Sequence, residues 1–331
     1  MQVRYLKLRA VKRCKNLNSI FRERFMEIKK IALIGAGAVG AYFIYGMSEL
    51  EDIDFCVVAE GLRADRLKEN GIIINDKLYR PVVCTPAEAK GADLILVCTK
   101  YQALEGVLDM LDVMVEENTI VMSLLNGIDS EDIIAERIGQ EHLVYSVTRI
   151  SSERRDKRVH FVPETTIGIS FGEKDSAKPS ERVLAIAKLF EMANLKYKIE
   201  EDILLDQWSK YSMNIIYNIP QAILDVGFGA YYDSENVGAI RDRMFEEVCK
   251  VANAEGISLK TQGDWRSACV KKARFSTLQD IDAKRHTEID MFTGSLIKLA
   301  HKHGIDVPFC EFAHLAVKAL EEKGEGKFDY I

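Results

Sequence analysis

Lys210, Asn214 and Asn218 are the residues whose spacing first suggests chemistry. They recur every four positions in the segment Trp208 to Asn218, most of whose other residues are apolar. An α-helix turns about 100° per residue, so residues four apart drift only about 40° per step and share one face. One Lys and two Asn along an apolar wall describe the lining of a polar pocket. A Lys in such a wall loses hydration, its pKa falls, and it becomes a credible proton donor near neutral pH. The same pattern fits an exposed polar stripe, and the segment alone does not separate the two readings.

A second constellation lies far upstream. Gly35-Ala36-Gly37-Ala38-Val39-Gly40 stands between the apolar run Ile31 to Ile34 and the helix-compatible run Ala41 to Leu50. A strand before and a helix after are the context that the dinucleotide fingerprint requires. Gly35 permits the tight turn, Gly37 lets backbone approach a pyrophosphate, and Gly40 lets the helix pack on the strand. The helix amino terminus then offers free N–H groups to the phosphates. An acidic residue at the end of the next strand selects NAD through the ribose hydroxyls, and an Arg there selects NADP. Glu60 occupies that place and argues for NAD, while Arg63 is near enough to serve a 2′-phosphate.

These residues need a frame. Apolar runs at 54–59, 93–98 and 120–124 follow the first strand and alternate with helical segments at 104–115 and 129–137. That alternation predicts an α/β, Rossmann-like amino-terminal domain with a parallel sheet and helices on both faces. Residues 72–77 read as a hairpin arm. Short strands at 143–150, 158–162 and 166–171 are expected to complete the sheet in antiparallel fashion, before a helix at 180–193 and a last strand at 196–199. Beyond Glu200 the pattern is helical. The expected organisation is a dinucleotide-binding domain over 26–200 and an all-α substrate and dimerisation domain over 201–331. Residues 1–25 carry eight Arg or Lys against one Glu. They read as a disordered or non-native extension, with Met26 as the true start.

Composition excludes some classes. A net charge of -6 over 331 residues leaves no nucleic-acid footprint. No run of 18 apolar residues is present, so no membrane span is expected, and a cytoplasmic enzyme is the natural reading. The seven cysteines are scattered without a C-x-x-C pair and read as small buried hydrophobes in a reducing compartment. His301-Lys302-His303 lacks a third ligand at metal spacing. Ser276-Thr277-Leu278-Gln279 resembles a capping box opening a helical run from about 278 to 301. Capping alone would explain Ser276, and Glu288 in that run could be a surface partner of Lys284.

Taken together, the chain resembles the ketopantoate reductase (2-dehydropantoate 2-reductase) family from Met26 to about Pro308. The match covers Gly35 to Gly40, Lys100, Asn126-Gly127, the Lys210, Asn214 and Asn218 series, Ser276-x-x-x-Asp280, and His286-Thr287-Glu288-Ile289-Asp290. The resemblance implies reduction of the C2 carbonyl of a 2-oxo acid by NADPH, with Lys210 as general acid. Asn126, Asn214, Asn218 and Ser276 would bind substrate. Lys100, Asn126 and Glu288 would contact the cofactor, with Glu288 near the nicotinamide or a substrate hydroxyl. The family usually carries Arg where Glu60 stands, which leaves NADH open. A further substrate-binding Asn found in some members is missing after Asn218. Two rival readings are an NADH-dependent D-2-hydroxyacid dehydrogenase acting on another branched 2-oxo acid, and a non-enzymatic dinucleotide sensor. A homodimer through the helical domain is expected.

Overall fold

β1 (Lys30–Ile34) is buried from its second residue onward because both faces of its sheet are covered. Ile31 and Leu33 enter one apolar cluster, and Ala32 and Ile34 enter another on the opposite face. Burial on both faces is why such a strand reads as a continuous apolar run. The computed structural model describes residues 26–155, 158–260, 270–328 and Tyr330. The basic extension, Cys14 and Cys269 lie outside the described residues.

After β1 come α1 (Ala38–Met47), β2 (Asp54–Val58), α2 (Gly61–Asn70), the arm β3 (Ile72–Ile74) and β4 (Lys77–Tyr79), then β5 (Val82–Cys84). β6 (Leu94–Val97), α3 (Leu104–Met114), β7 (Ile120–Ser123) and α4 (Ser130–Ile138) follow. The main sheet has the order β5-β2-β1-β6-β7, and all its pairs are parallel. The chain thus builds outward from β1 in one direction, then returns to build outward from β6 in the other. The crevice between the carboxyl ends of β1 and β6 is the switch point at which such sheets bind ligands.

The expected antiparallel completion of this sheet is not what forms. β8 (Tyr145–Arg149), β11 (Gly168–Gly172) and β12 (Tyr197–Ile199) make a separate three-stranded sheet, with α5 (Glu181–Met192) between the last two. It touches the main sheet through the bond from Val144 N to the Val121 carbonyl, 3.1 Å. β9 (Ser152–Arg155) and β10 (Arg158–Phe161) join the β3-β4 arm in a third sheet. β10 buries only alternate residues, Val159 and Phe161. It therefore needs one apolar partner face, which Tyr42 and Tyr45 of α1 supply by packing edge-on against Phe161. Asn75 and Asp76 turn the arm at positive φ, as a two-residue hairpin requires, and the Asn75 amide oxygen accepts the Phe161 N–H at 3.0 Å.

The cysteines also need a correction. β2 and β5 lie side by side, and Cys56 and Cys84 form a disulfide between them. Cys98 and Cys310 are buried free thiols.

From Ile203 the described chain is helical. α6 (Ile203–Met213) runs through a π-helical turn at Asn214–Asn218 into α7 (Ile219–Leu224). α8 (Ala230–Asp233), α9 (Glu235–Ala254) and α10 (Ser276–Asp282) come next. A second π turn at Asp290–Gly294 leads into α11 (Ser295–His303), and α12 (Pro308–Gly324) closes the fold. Trp208, Tyr211, Ile216, Val248, Phe292 and Val317 share one core. The expected helical run from 278 to 301 is broken. Lys284 takes a left-handed conformation, and Arg285 N returns to the Asp280 carbonyl at 2.8 Å, a helix-ending geometry. Helix resumes at Ile289.

Candidate active site

The glycine loop fills the switch point. Gly35 has φ +103°, and a Cβ there would lie 2.7 Å from the Cys98 carbonyl oxygen. A Cβ on Gly40 would lie 1.9 Å from the Gly35 carbonyl, so strand and helix approach as closely as the loop permits. Gly37 differs: a Cβ there would come no nearer than 4.0 Å to the protein. Nothing among the described residues demands glycine at 37, which is itself the N-cap of α1 and leaves that helix end without a side-chain cap. Such an end favours an anion. Ala36, Ala38 and Val39 complete the loop. The buried Thr99 hydroxyl beside it has no hydrogen-bond partner among the described residues. An uncapped helix amino end, open backbone at Gly37 and a spare hydroxyl fit a dinucleotide phosphate.

Glu60 stands one residue beyond the end of β2, after Ala59, and occupies the N-cap position of α2, with its side chain in solvent. Arg63 is exposed one turn on. Lys100 follows β6, and its ammonium reaches Asp280 at 3.4 Å. Asp280 also takes the Arg285 guanidinium at 2.7 Å.

The second half of the site comes from the helical region. Asp202 caps α6 by accepting the Leu205 N–H at 2.9 Å. Trp208 and Tyr211 anchor the helix in the core, and the Tyr211 hydroxyl donates to the Phe292 carbonyl at 2.5 Å. Between these anchors Lys210 points away from the core, and its Nζ donates to Asn126 Oδ1 at 2.7 Å. Asn126 lies just beyond β7, so this bond joins the helical region to the carboxyl edge of the parallel sheet. Asn126 Nδ2 lies 3.5 Å from Glu288 Oε2. Glu288 therefore faces the site and is not paired with Lys284.

Burial first, and the Arg149 guanidinium second, hold the Lys210 pKa down, to about 8. Glu288, Asp206 and Glu131 pull the other way. Arg149 is fixed by two 2.7 Å bonds to Asp206, which sits one turn before Lys210 on α6. A Lys with a pKa near the working pH suits acid catalysis.

Asn214 and Asn218 form a second group. Both lie in the π turn, a distortion that recurs at functional sites. Asn218 Nδ2 lies 3.4 Å from Asn214 Oδ1 and 3.4 Å from Ser276 Oγ. Ser276 is the first residue of α10 and does not cap it; the N-cap is Phe275. Its hydroxyl is turned toward Asn218. Arg149, Asp206, Glu131 and Gln102 were not foreseen. Only Asp206 left a signal, its i,i+4 spacing to Lys210.

Two family models account for most of the chain. The one described as ketopantoate reductase PanE/ApbA matches residues 31–174, and its C-terminal counterpart matches 202–321. The chain belongs to the ketopantoate reductase family. A 2-dehydropantoate 2-reductase of Pyrococcus horikoshii is 28% identical over 305 residues, 90% of this chain and 99% of that relative. One from Streptococcus pyogenes serotype M3 is 27% identical, covering 88% of this chain and 97% of the relative. Among solved structures, the PanE/ApbA family ketopantoate reductase of Ralstonia eutropha superposes with a TM-score of 0.77 at 23% identity, over 89% of this chain and 99% of that one. A D-mandelate dehydrogenase with NADH and anilino(oxo)acetate shares the fold at a TM-score of 0.76 and 23% identity, with the same coverage. The ketopantoate reductase family thus supplies the reaction class, an oxidoreductase acting on a small substrate. No described helix is long and apolar enough to cross a membrane.

Proposed function

We propose that this protein reduces ketopantoate to D-pantoate, the step that serves pantothenate and coenzyme A synthesis. The hydrogen bond from Lys210 to Asn126 carries the reading. Residues 35–40 would hold a reduced nicotinamide dinucleotide, which would supply the hydride for C2 of the substrate. Lys210 gives a proton to the carbonyl oxygen as that oxygen gains charge, and the resulting amine is reprotonated from water. Asn126 Oδ1 accepts a hydrogen bond from one ammonium N–H and so aims the others. A cation beside a developing oxyanion, in a cleft with little water, lowers the barrier. Asn214, Asn218 and Ser276 offer amide and hydroxyl groups to the carboxylate and hydroxyl of the substrate. Glu288 accepts from the substrate hydroxyl, and Lys100 reaches the cofactor.

Glu60 favours NADH over NADPH, because its carboxylate suits ribose hydroxyls and repels a 2′-phosphate. The same residue supports a second reading, an NADH-dependent D-2-hydroxyacid dehydrogenase with another branched 2-oxo acid; the D-mandelate dehydrogenase with NADH is a neighbour in fold. Ketopantoate compared with 2-oxoisovalerate decides between them. A preference for ketopantoate of at least about tenfold in kcat/KM, roughly 1.4 kcal/mol, supports the first, and its absence rejects it. The working form is read as a cytoplasmic homodimer joined through residues 201–331, with the dinucleotide domain at 26–200. Sedimentation equilibrium at a single monomeric mass would reject the dimer.

A further inference from the structure

The C-terminal helix α12 reaches the site through Glu321, a residue only 9% exposed. Its Oε1 accepts the Thr287 backbone N–H at 2.7 Å and the Thr287 hydroxyl at 2.6 Å. The same hydroxyl accepts the Ile289 N–H at 3.2 Å, so Thr287 caps the turn that leads into the second π turn. From the opposite side Gln102 Nε2, just beyond β6, donates to the Thr287 carbonyl at 2.9 Å. Every backbone polar group of Thr287, and its hydroxyl, is thereby fixed by another element. The other oxygen of Glu321 faces His286 at 3.6 Å and Lys318 at 3.8 Å. Lys318 in turn holds Asp290 at 2.6 Å.

A buried carboxylate is costly unless its oxygens are satisfied. Here that cost goes into pinning the residue directly before Glu288. Glu288 Oε2 lies 3.5 Å from Asn126, which receives the Lys210 ammonium. A rigid partner shell of this kind decides whether a functional side chain stays in productive geometry.

We propose that Glu321 is a positioning residue for reduction: through Thr287 it holds the Glu288 carboxylate at the substrate. The proposal rests on the 2-oxo acid reductase reading. Steady-state kinetics of Glu321→Ala and Glu321→Gln, each with and without Glu288→Ala, test it. Glu321→Ala lowers kcat/KM on the order of 10- to 100-fold. Glu321→Gln retains a carbonyl acceptor for both Thr287 bonds and recovers most of that loss. In the Glu288→Ala background Glu321→Ala adds almost nothing, since coupled residues are non-additive. Thr287→Val, which removes only the hydroxyl arm, gives a smaller loss with the same dependence on Glu288 and serves if Glu321→Ala does not fold. Losses that multiply in both backgrounds, or wild-type rates in the single variants, overturn the proposal. An inactive wild type removes the reductase reading and this proposal together, whereas an active wild type with multiplicative losses removes this one alone.

Discussion

Lys210 Nζ and Asn126 Oδ1 lie 2.7 Å apart, although 84 residues separate them in the chain. One belongs to a helix anchored by Trp208 and Tyr211, the other to the end of a parallel strand. The bond brings the Lys210 ammonium to the crevice at the carboxyl ends of the parallel strands.

The pH dependence of reduction follows from the Lys210 ammonium. Its pKa is held down to about 8, so the acid is protonated below that value and lost above it. The kcat/KM for reduction is therefore level at lower pH and falls above about pH 8, while oxidation of the hydroxy acid rises through the same pKa. The charged groups around Lys210 are Arg149 from β8, Asp206 from its own helix, Glu131 from α4 and Glu288. Replacing Arg149 by Met removes a repulsion and frees the Asp206 carboxylate. The falling limb then moves to higher pH; an unmoved limb would contradict this assignment.

The glycines of the loop separate binding from folding. Gly37→Ala meets nothing nearer than 4.0 Å, whereas Gly40→Ala meets the Gly35 carbonyl at 1.9 Å. Gly37→Ala keeps the wild-type Tm and loses dinucleotide affinity by about tenfold or more, some 1.4 kcal/mol. Gly40→Ala lowers both. Calorimetric titration beside thermal melts reads the two effects, and equal behaviour of the two variants would count against the cradle.

The proposed role of Glu60 is read in the choice between the two cofactors. The wild type binds NADH more tightly than NADPH, and Glu60→Arg reverses the order by giving a 2′-phosphate a cation. Fluorescence titration of both cofactors checks this; an unchanged ratio would clear Glu60 of the role.

Glu131 carries a stability cost. Burial raises its pKa from 4.5 to about 7, against opposing hydrogen bonds led by that from Ser130. Gln207 Nε2 also donates to it at 2.7 Å. A carboxyl whose folded pKa is raised favours the fold while protonated, and that contribution fades as pH rises from about 4.5 through 7. Glu131→Gln keeps hydrogen-bonding partners without the charge. Its Tm relative to wild type is higher at pH 8 than at pH 5, and a difference that ignores pH would refute the assignment.

The sequence carried the parallel strands because their burial on both faces leaves uninterrupted apolar runs, as in Leu94 to Val97. It carried the Lys210 series because helical spacing is a local property. It did not carry the partition into three sheets, since the pairing of β10 with the β3-β4 arm depends on contacts between residues more than 80 positions apart. The break after Asp282 escaped for a related reason. Lys284 carries no sequence mark of a left-handed residue, so the helical period in the sequence runs on to His301. Ser276 looked like a cap by its neighbours, yet its hydroxyl faces Asn218, which only the tertiary fold brings near. Arg149 and Glu321 left no pattern, because their partners are set by packing between elements distant in the chain.

The most direct measurement is reduction of ketopantoate by purified protein, wild type against Lys210→Met, with dinucleotide affinity measured alongside. The wild type is active, and the variant loses roughly 10²- to 10⁴-fold in kcat with its dinucleotide affinity nearly unchanged. A variant that turns over ketopantoate at the wild-type rate would contradict the account of this site.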